Sequence, residues 1–131
     1  MVCLDTSFII DVLRGKKEVL EIEKKLDRLS EAVTIASPSI MELIVGVRLS
    51  NNPQIEEEKI NSLLSSLIVL NLDRESAVLA GNIKADLTKK GDLIDIEDIL
   101  IGAIAKHNNE TIITKNPKHF EKIKGLTIES Y

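Results

Sequence analysis

The feature that most constrains the fold is a short apolar run at the start of the chain, followed at once by an acid. Val2, Cys3 and Leu4 show no polar alternation, which is typical of a strand buried on both faces of a parallel sheet. Asp5 then stands at the carboxyl end of that strand, where open α/β sheets bind ligands. Ser7 is a candidate cap for a helix that follows. Asp5 is therefore either part of a ligand site or another helix cap.

Composition limits the classes to which the protein can belong. Its 131 residues are 44% hydrophobic and 29% charged, which indicates one globular domain over residues 1–131. No apolar run approaches the roughly 20 residues of a membrane span, and acids interrupt any signal-peptide core, so we expect a cytoplasmic protein without a membrane partner. One cysteine excludes an internal disulfide, and two histidines argue against structural zinc. The net charge of −4 and the scarcity of aromatic residues argue against a protein that coats nucleic acid.

Apolar segments alternate with amphipathic ones along the whole chain. We expect strands at residues 2–4, 33–36, 67–70, 111–114 and 126–128. We expect helices after the first strand and at residues 17–31, from 37 onwards, and at 54–66, 73–91, 94–106 and 118–123. Strands that alternate with helices form a parallel sheet covered on both faces. The predicted fold is a three-layer α/β/α sandwich around a central parallel sheet of about five strands.

Polar residues stand where the predicted strands end. Asp5 follows the first strand, and Thr114 and Asn116 close the fourth. Glu42 lies in the helix after the second strand, and Asp98 lies near the start of the most apolar helix, where an unpaired carboxylate is costly. If the first and fourth strands are neighbours, these groups converge, and three carboxylates repel one another unless a cation lies between them. Oxygen ligands suit Mg²⁺ or Mn²⁺, which indicates metal-assisted hydrolysis of a phosphodiester.

Each of these residues also has a purely structural interpretation. Ser39 and Glu42 have the spacing of a capping box. Asp95 followed by Asp98 is typical of a helix cap with an acid in the first turn. Asn116 precedes a proline, as many turn residues do. The residues alone leave these alternatives open.

Four motifs, in order along the chain, resemble those of one family. They are Leu4-Asp5-Thr6-Ser7 with Ile9 to Gly15, Ser39-Ile40-Met41-Glu42-Leu43, Asp98-Ile99-Leu100-Ile101-Gly102-Ala103 after Gly91 and Ile94, and Thr114-Lys115-Asn116 with Phe120. The ending Leu126-Thr127-Ile128-Glu129 matches as well. In this order the chain resembles the PIN-domain ribonucleases, in particular the VapC toxins of toxin–antitoxin pairs. That family more often has alanine at the position of Gly102, and many members have another aspartate at the position of His119.

The resemblance implies a role for each matching residue. Asp5, Glu42 and Asp98 take the places of the family's acidic triad, which binds Mg²⁺ or Mn²⁺ and positions the attacking water. Asn116 takes the fourth position, where the family carries Asp or Asn, and its neutral amide leaves one charge fewer for a second ion. His119 is assigned no catalytic role. The residues expected to hold the carboxylates in place are Thr6, Ser7 and Thr114, and the alternative ligands beside Asp98 are Asp95 and Glu97.

The resemblance also implies an RNA substrate, a small cognate antitoxin that inserts a basic side chain among the acids, and a homodimer. The cations expected to contact RNA are Arg14, Lys16, Lys115 and Lys118, with Lys17, Lys89 and Lys90 as further candidates. Two alternatives remain. One is a PIN-domain RNA-processing nuclease without an antitoxin, and the other is a non-catalytic, receiver-like interaction module with an acidic pocket. A receiver normally has paired acids at the position of Asp5, whereas Thr6 follows it here.

Overall fold

The computed structural model describes all 131 residues. The strands are β1 (Val2–Leu4), β2 (Val33–Ala36), β3 (Ile68–Leu70), β4 (Thr111–Thr114) and β5 (Thr127–Ser130). The helices are α1 (Thr6–Leu13), α2 (Lys17–Leu29), α3 (Ser37–Arg48), α4 (Pro53–Leu64), α5 (Arg74–Lys89) and α6 (Ile96–His107), and a 3₁₀ turn covers Pro117–His119. None of the six helices has the length and apolar character that a membrane crossing requires.

All five strands are parallel, in the order β3-β2-β1-β4-β5. β1 is the central strand, and Leu4 is in register with Ile35 of β2 on one side and with Ile113 of β4 on the other. The first and fourth strands are therefore neighbours, which is the condition on which the convergence of the acids depended. The carboxyl ends of β2, β1 and β4 lie at the same edge of the sheet, which is where a ligand site is expected.

Two apolar cores lie on opposite faces of the sheet. Cys3 and Ile112 pack with α5 and α6, whereas Leu4 and Ile113 pack with residues of α1 to α4. Consecutive residues of one strand thus face different helical layers, which explains why β1 is apolar at every position. The predicted three-layer sandwich is confirmed.

The predicted start of α1 at Ser7 is wrong by two residues. Asp5 is the N-cap residue, with extended backbone angles, and its carboxylate accepts a hydrogen bond from the backbone N–H of Thr6. Ser7 lies inside the helix, and its hydroxyl donates to the same carboxylate at 2.8 Å. The cap interpretation of Asp5 is therefore confirmed, and the second carboxylate oxygen lies at the end of the sheet, where a ligand site remains the prediction.

The capping-box interpretation of Ser39 and Glu42 is also wrong. Helix α3 begins at Ser37, with Ala36 at the cap position, so Ser39 is already helical. Ser39 is buried and its hydroxyl has no hydrogen-bond partner, and Glu42 bonds to a different element. Asp95 does occupy the cap position of α6, but its side chain makes no capping hydrogen bond.

The predicted helix at 118–123 is wrong, because only the 3₁₀ turn Pro117–His119 forms there. Phe120 and Ile123 are buried, and both lie against Gly102 of α6. The segment from residue 117 to residue 126, which we call the strap, instead follows α6 without regular structure beyond the 3₁₀ turn. A Cβ at Gly102 would overlap Cδ1 of Ile123 and lie 3.5 Å from Phe120 and Leu126, so the strap lies this close because residue 102 has no side chain.

Gly102→Ala should therefore lower the free energy of unfolding by about 1–3 kcal/mol, because the added methyl overpacks a buried contact. Gly81→Ala is the matched control, since it is also a helical glycine but has open space around it; it should raise stability by up to about 1 kcal/mol. Adding Ile123→Val to Gly102→Ala removes the obstructing Cδ1 and should recover most of the loss. Urea unfolding of the four proteins measures these differences, and equal stability of the two alanine variants would contradict the close packing of the strap on α6.

Candidate metal centre

The sheet edge formed by the ends of β1, β2 and β4 opens into a cavity of about 320 Å³. It is lined by Asp5, Thr6, Ser7, Ile10, Arg14, Glu42, Asp95, Asp98, Lys115, Asn116 and His119, and we call it the acid cavity. The three predicted carboxylates and the predicted amide all border it, although they are separated by up to 111 positions of sequence. The structure thus brings together all four residues that the sequence indicated.

Asp5 has the most closely determined position in the acid cavity. Asp5 is buried, with only 5% of the residue exposed. One carboxylate oxygen accepts from the Thr6 N–H at 2.8 Å, and the other accepts from the hydroxyls of Ser7 at 2.8 Å and Thr114 at 2.7 Å. A buried carboxylate needs such donors, and these bonds also fix its orientation. The expectation that Thr6, Ser7 and Thr114 hold carboxylates in place agrees with these contacts.

Glu42 is tied to the same group of residues through Thr6, whose hydroxyl donates to Glu42 Oε1 at 2.8 Å. Burial raises the pKa of Glu42, and the negative charge of Asp5 raises it further, although the bond from Thr6 acts in the opposite direction. Glu97 and Asp95 also raise this pKa. Burial and the neighbouring negative charges thus disfavour the ionised form of Glu42, and a nearby cation would stabilise it.

The pKa of Asp98 is also raised. Burial raises its pKa to about 6, and the charges of Asp5, Glu42 and Asp95 contribute to the increase. The opposing influence is His119, whose Nδ1 lies 3.0 Å from Asp98 Oδ2. The side chain of Asp98 is 14% exposed, so it faces the cavity but is largely shielded from water.

His119 is a residue that the sequence reasoning missed, since it was assigned no role. Its imidazole borders the acid cavity and is the only basic group within 4.0 Å of one of the three acids. The available signal was its position three residues after Asn116, in a segment that returns to the sheet edge. Asn116 itself is anchored through its backbone N–H, which donates to the hydroxyl of Thr114 at 3.0 Å.

Asp11 is a second missed residue. It is buried on α1, where one oxygen bonds Lys115 Nζ at 3.0 Å and the other accepts from the Tyr131 hydroxyl at 3.0 Å. Burial acts against ionisation, but the bonds from Lys115 and Tyr131 hold the pKa of Asp11 below its ordinary value. The signal was an acid inside an apolar helix, the same argument that identified Asp98.

The cations expected to contact RNA are only partly gathered at the acid cavity. Arg14 and Lys115 border it, and Lys115 is held there by Asp11. Lys118 lies in an adjoining cavity that also contains Asp98 and His119. Lys16 borders neither cavity.

The donor set of the acid cavity fits a divalent cation. Three carboxylates supply hard oxygen ligands, and two of them have raised pKa values because burial and mutual repulsion disfavour their charge. A tighter set of possible ligands, Asp73, Glu75 and His107, has its atoms within 4.8 Å of one another, but all three side chains are exposed. Asp73 is occupied there by the capping box of α5, so compactness alone does not mark this second cluster as a metal site.

Fold and site together define a class: a small parallel α/β protein with a carboxylate centre at the end of its central strands. The PIN domain family model matches residues 2–126. The ribonuclease VapC2 of Haemophilus influenzae is 32% identical over 128 residues, covering 98% of this chain and 96% of that protein. The tRNA(fMet)-specific endonuclease VapC of Salmonella typhimurium is 30% identical over the same shares.

Solved structures agree with these sequence matches. The VapBC2 complex of Rickettsia felis, bound to a DNA fragment from its promoter, contains a chain with a TM-score of 0.92 and 25% identity, covering 100% of this chain and 99% of that one. The DNA-bound VapBC of Salmonella typhimurium gives 0.90 and 30%, covering 99% and 98%. The chain therefore belongs to the PIN-domain family and, within it, to the VapC group, as its motifs predicted.

Asp98→Asn should raise the stability of the metal-free protein at neutral pH by about 1–2 kcal/mol, because it removes a charge that burial and repulsion disfavour. The folded-state pKa of Asp98 lies above the ordinary 3.8, so its ionisation costs stability above about 6, and the gain should shrink as the pH falls from 6 toward 3.8. A divalent cation should reverse the order by stabilising only the wild type. Thermal unfolding with and without the cation measures both effects.

The matched control is Asp27→Asn, since Asp27 is an exposed acid on α2. It should leave stability unchanged to within about 0.5 kcal/mol and should preserve the response to the cation. Equal stabilisation of the wild type and Asp98→Asn by the cation would remove Asp98 from the metal centre.

Proposed function

We propose that this protein is a metal-dependent endoribonuclease and the toxin of a VapBC-type toxin–antitoxin pair. The observation that carries the proposal is the convergence of Asp5, Glu42 and Asp98 on one cavity, with the pKa values of Glu42 and Asp98 raised. Membership of a family whose relatives are named ribonucleases supports the reaction, and their coverage of nearly the whole chain supports its transfer to this protein.

The proposed role of each acid follows from its hydrogen bonds and burial. Asp5, whose second oxygen accepts from Ser7 and Thr114, and Asp98 are the proposed ligands of Mg²⁺ or Mn²⁺, with Glu42 as the third acid. A divalent ion held there would stabilise negative charge on the phosphate and would lower the pKa of a water molecule. Thr6 holds Glu42 in place, and Asn116, which lines the same cavity, would offer a further oxygen without adding charge.

The RNA backbone requires cations at the mouth of the same cavity. Arg14 and Lys115 border it directly, and Lys118 lies beside Asp98 in the adjoining cavity. Lys115 is the best positioned of these, because Asp11 fixes its ammonium group and Tyr131 fixes Asp11. We assign these three residues to phosphate contacts near the scissile bond. Lys16 receives no such role, since it does not border either cavity.

A groove of about 360 Å³ supports the antitoxin as a partner. It runs between α1, α3 and α4 and shares Ile10, Arg14 and Glu42 with the acid cavity. Apolar residues such as Leu43 and Val47 line it. An antitoxin segment with apolar side chains in this groove and one basic side chain directed at Glu42 would exclude RNA. Solved structures of relatives are VapBC complexes, such as that of Salmonella typhimurium, which supports an antitoxin as the partner.

The outer face of α3 supports a homodimer. Met41, Val45 and Leu49 follow one another at helical spacing and are exposed, Leu49 at 82%. Three exposed apolar side chains in one row on a helix are typical of a protein interface. We propose that two copies of the chain bury this row against each other.

RNA cleavage in the presence of Mg²⁺ or Mn²⁺ tests the function. The wild type should cleave RNA and lose activity in EDTA, whereas Asp5→Asn and Asp98→Asn should each reduce the rate by about a hundredfold or more, because each removes a charged ligand. Circular dichroism establishes that both variants remain folded. Single-turnover assays on total tRNA and on a mixed-sequence RNA give the rates.

Asp73→Asn is the matched control, because it changes the same residue type in the exposed cluster with Glu75 and His107, and asparagine can still cap α5. It should cleave RNA at the wild-type rate. Activity that survives Asp5→Asn and Asp98→Asn would indicate a contaminating nuclease and would remove the acid cavity from the mechanism.

A further inference from the structure

The strap, residues 117–126 including the 3₁₀ turn, runs along α6 and away from the acid cavity. Its first contact is His119 with Asp98, near the start of the helix. Its middle lies on Gly102, which Phe120 and Ile123 cover. Its last contact is the Lys124 carbonyl, which accepts from Lys106 Nζ near the end of the helix. Asp98, Gly102 and Lys106 are spaced four residues apart, so the strap follows one face of α6 from end to end.

Five lysines accompany this path. Lys118, Lys122 and Lys124 are on the strap, Lys106 is on α6, and Lys90 follows the last residue of α5; we call them the lysine row. A cavity of about 170 Å³ lies between Lys118, Lys122 and the Asp98–His119 pair. A second cavity, of about 120 Å³, is lined by the other three lysines together with Lys122. Lys122 lines both of these cavities. Asp98 and His119 line the first of them and also the acid cavity, so neighbouring cavities share lining residues along the whole path.

The charge of the lysine row is largely unpaired. Lys122 forms an ion pair with Asp92 at 3.0 Å, but Lys90, Lys118 and Lys124 have no acidic partner within 4.0 Å. Asp86 is the one acid that lines the cavity of the other lysines. Glu121 lies on the strap and Asp92 and Asp86 accompany the row, but four of its five lysines form no ion pair. Unpaired cations of this kind attract a polyanion and concentrate it beside the acid cavity.

We propose that the lysine row is a binding site for RNA backbone phosphates that lead away from the scissile bond. Asp98 and Lys106 are eight residues apart on one helix, which corresponds to about 12 Å along its axis. An RNA strand that follows this path from the metal centre would therefore place a phosphate a few nucleotides away at the far end of the row. The proposal rests on the proposed ribonuclease function and names the part of the substrate that this surface binds.

The test uses the double variant Lys90→Gln/Lys124→Gln, since neither side chain forms an ion pair or borders the acid cavity. Its matched control is Lys24→Gln/Arg28→Gln, which removes two exposed cations from α2 that were not expected to contact RNA. Binding of a fluorescein-labelled single-stranded RNA is measured in EDTA over a range of salt concentrations. The lysine-row variant should show a log–log salt dependence shallower by about 1.4, or about 0.7 for each lost phosphate contact, and the control should match the wild type.

The KM and kcat of cleavage give a second test, because a loss of stability alone would not make the change in KM depend on the length of the RNA. With a long RNA, the lysine-row variant should show a raised KM and an unchanged kcat. With an RNA that ends about two phosphates from the scissile bond, wild type and variant should have the same KM. A salt dependence equal to that of the wild type, or equal to that of the control, would overturn the proposal. If the wild type cleaves no RNA, the ribonuclease function fails, but the binding measurement still decides whether the lysine row holds RNA.

Discussion

The burial of the Asp5 carboxylate at the end of the central strand is the interaction on which the rest of the site depends. Its oxygens accept from the Thr6 N–H and from the hydroxyls of Ser7 and Thr114, which belong to α1 and β4. These bonds fix the first helix against the strand edge. Because Thr6 also bonds Glu42, α3 is placed relative to β1 through the same residues. The position of Glu42 thus follows from satisfying one buried charge, whereas Asp98 has His119 as its partner.

The protein does not supply the positive charge that this arrangement needs. Lys115 is directed to Asp11, and Lys122 is directed to Asp92, so of the basic groups only His119 lies against one of the three acids. The pKa values of Glu42 and Asp98 are raised as a result, first by burial and then by their neighbours. The acid cavity thus favours a cation from solution, and the unpaired lysines lie outside the cavity, where a polyanion would approach.

Local patterns were sufficient to predict the layers of the fold and the convergence of the acids. A run such as Val2–Leu4, apolar at every position, has no stable place except between two helical layers, and the parallel topology then places Asp5 at a shared edge. Contacts between distant residues were not predictable. Asp11 lies 104 residues from Lys115, and His119 meets Asp98 only because Gly102 admits the strap onto α6. The structural interpretation of Glu42 failed because α3 begins earlier than its capping pattern indicates.

The most direct test of the central claim, that the three carboxylates form the protein's cation site, is anomalous diffraction from crystals grown with Mn²⁺. We expect one strong peak in the acid cavity, within ligand distance of oxygens from Asp5 and Asp98, and we expect the peak to disappear in Asp98→Asn. A peak confined to the exposed cluster of Asp73, Glu75 and His107, or no peak at a saturating concentration of Mn²⁺, would contradict the assignment of the metal centre and with it the proposed reaction.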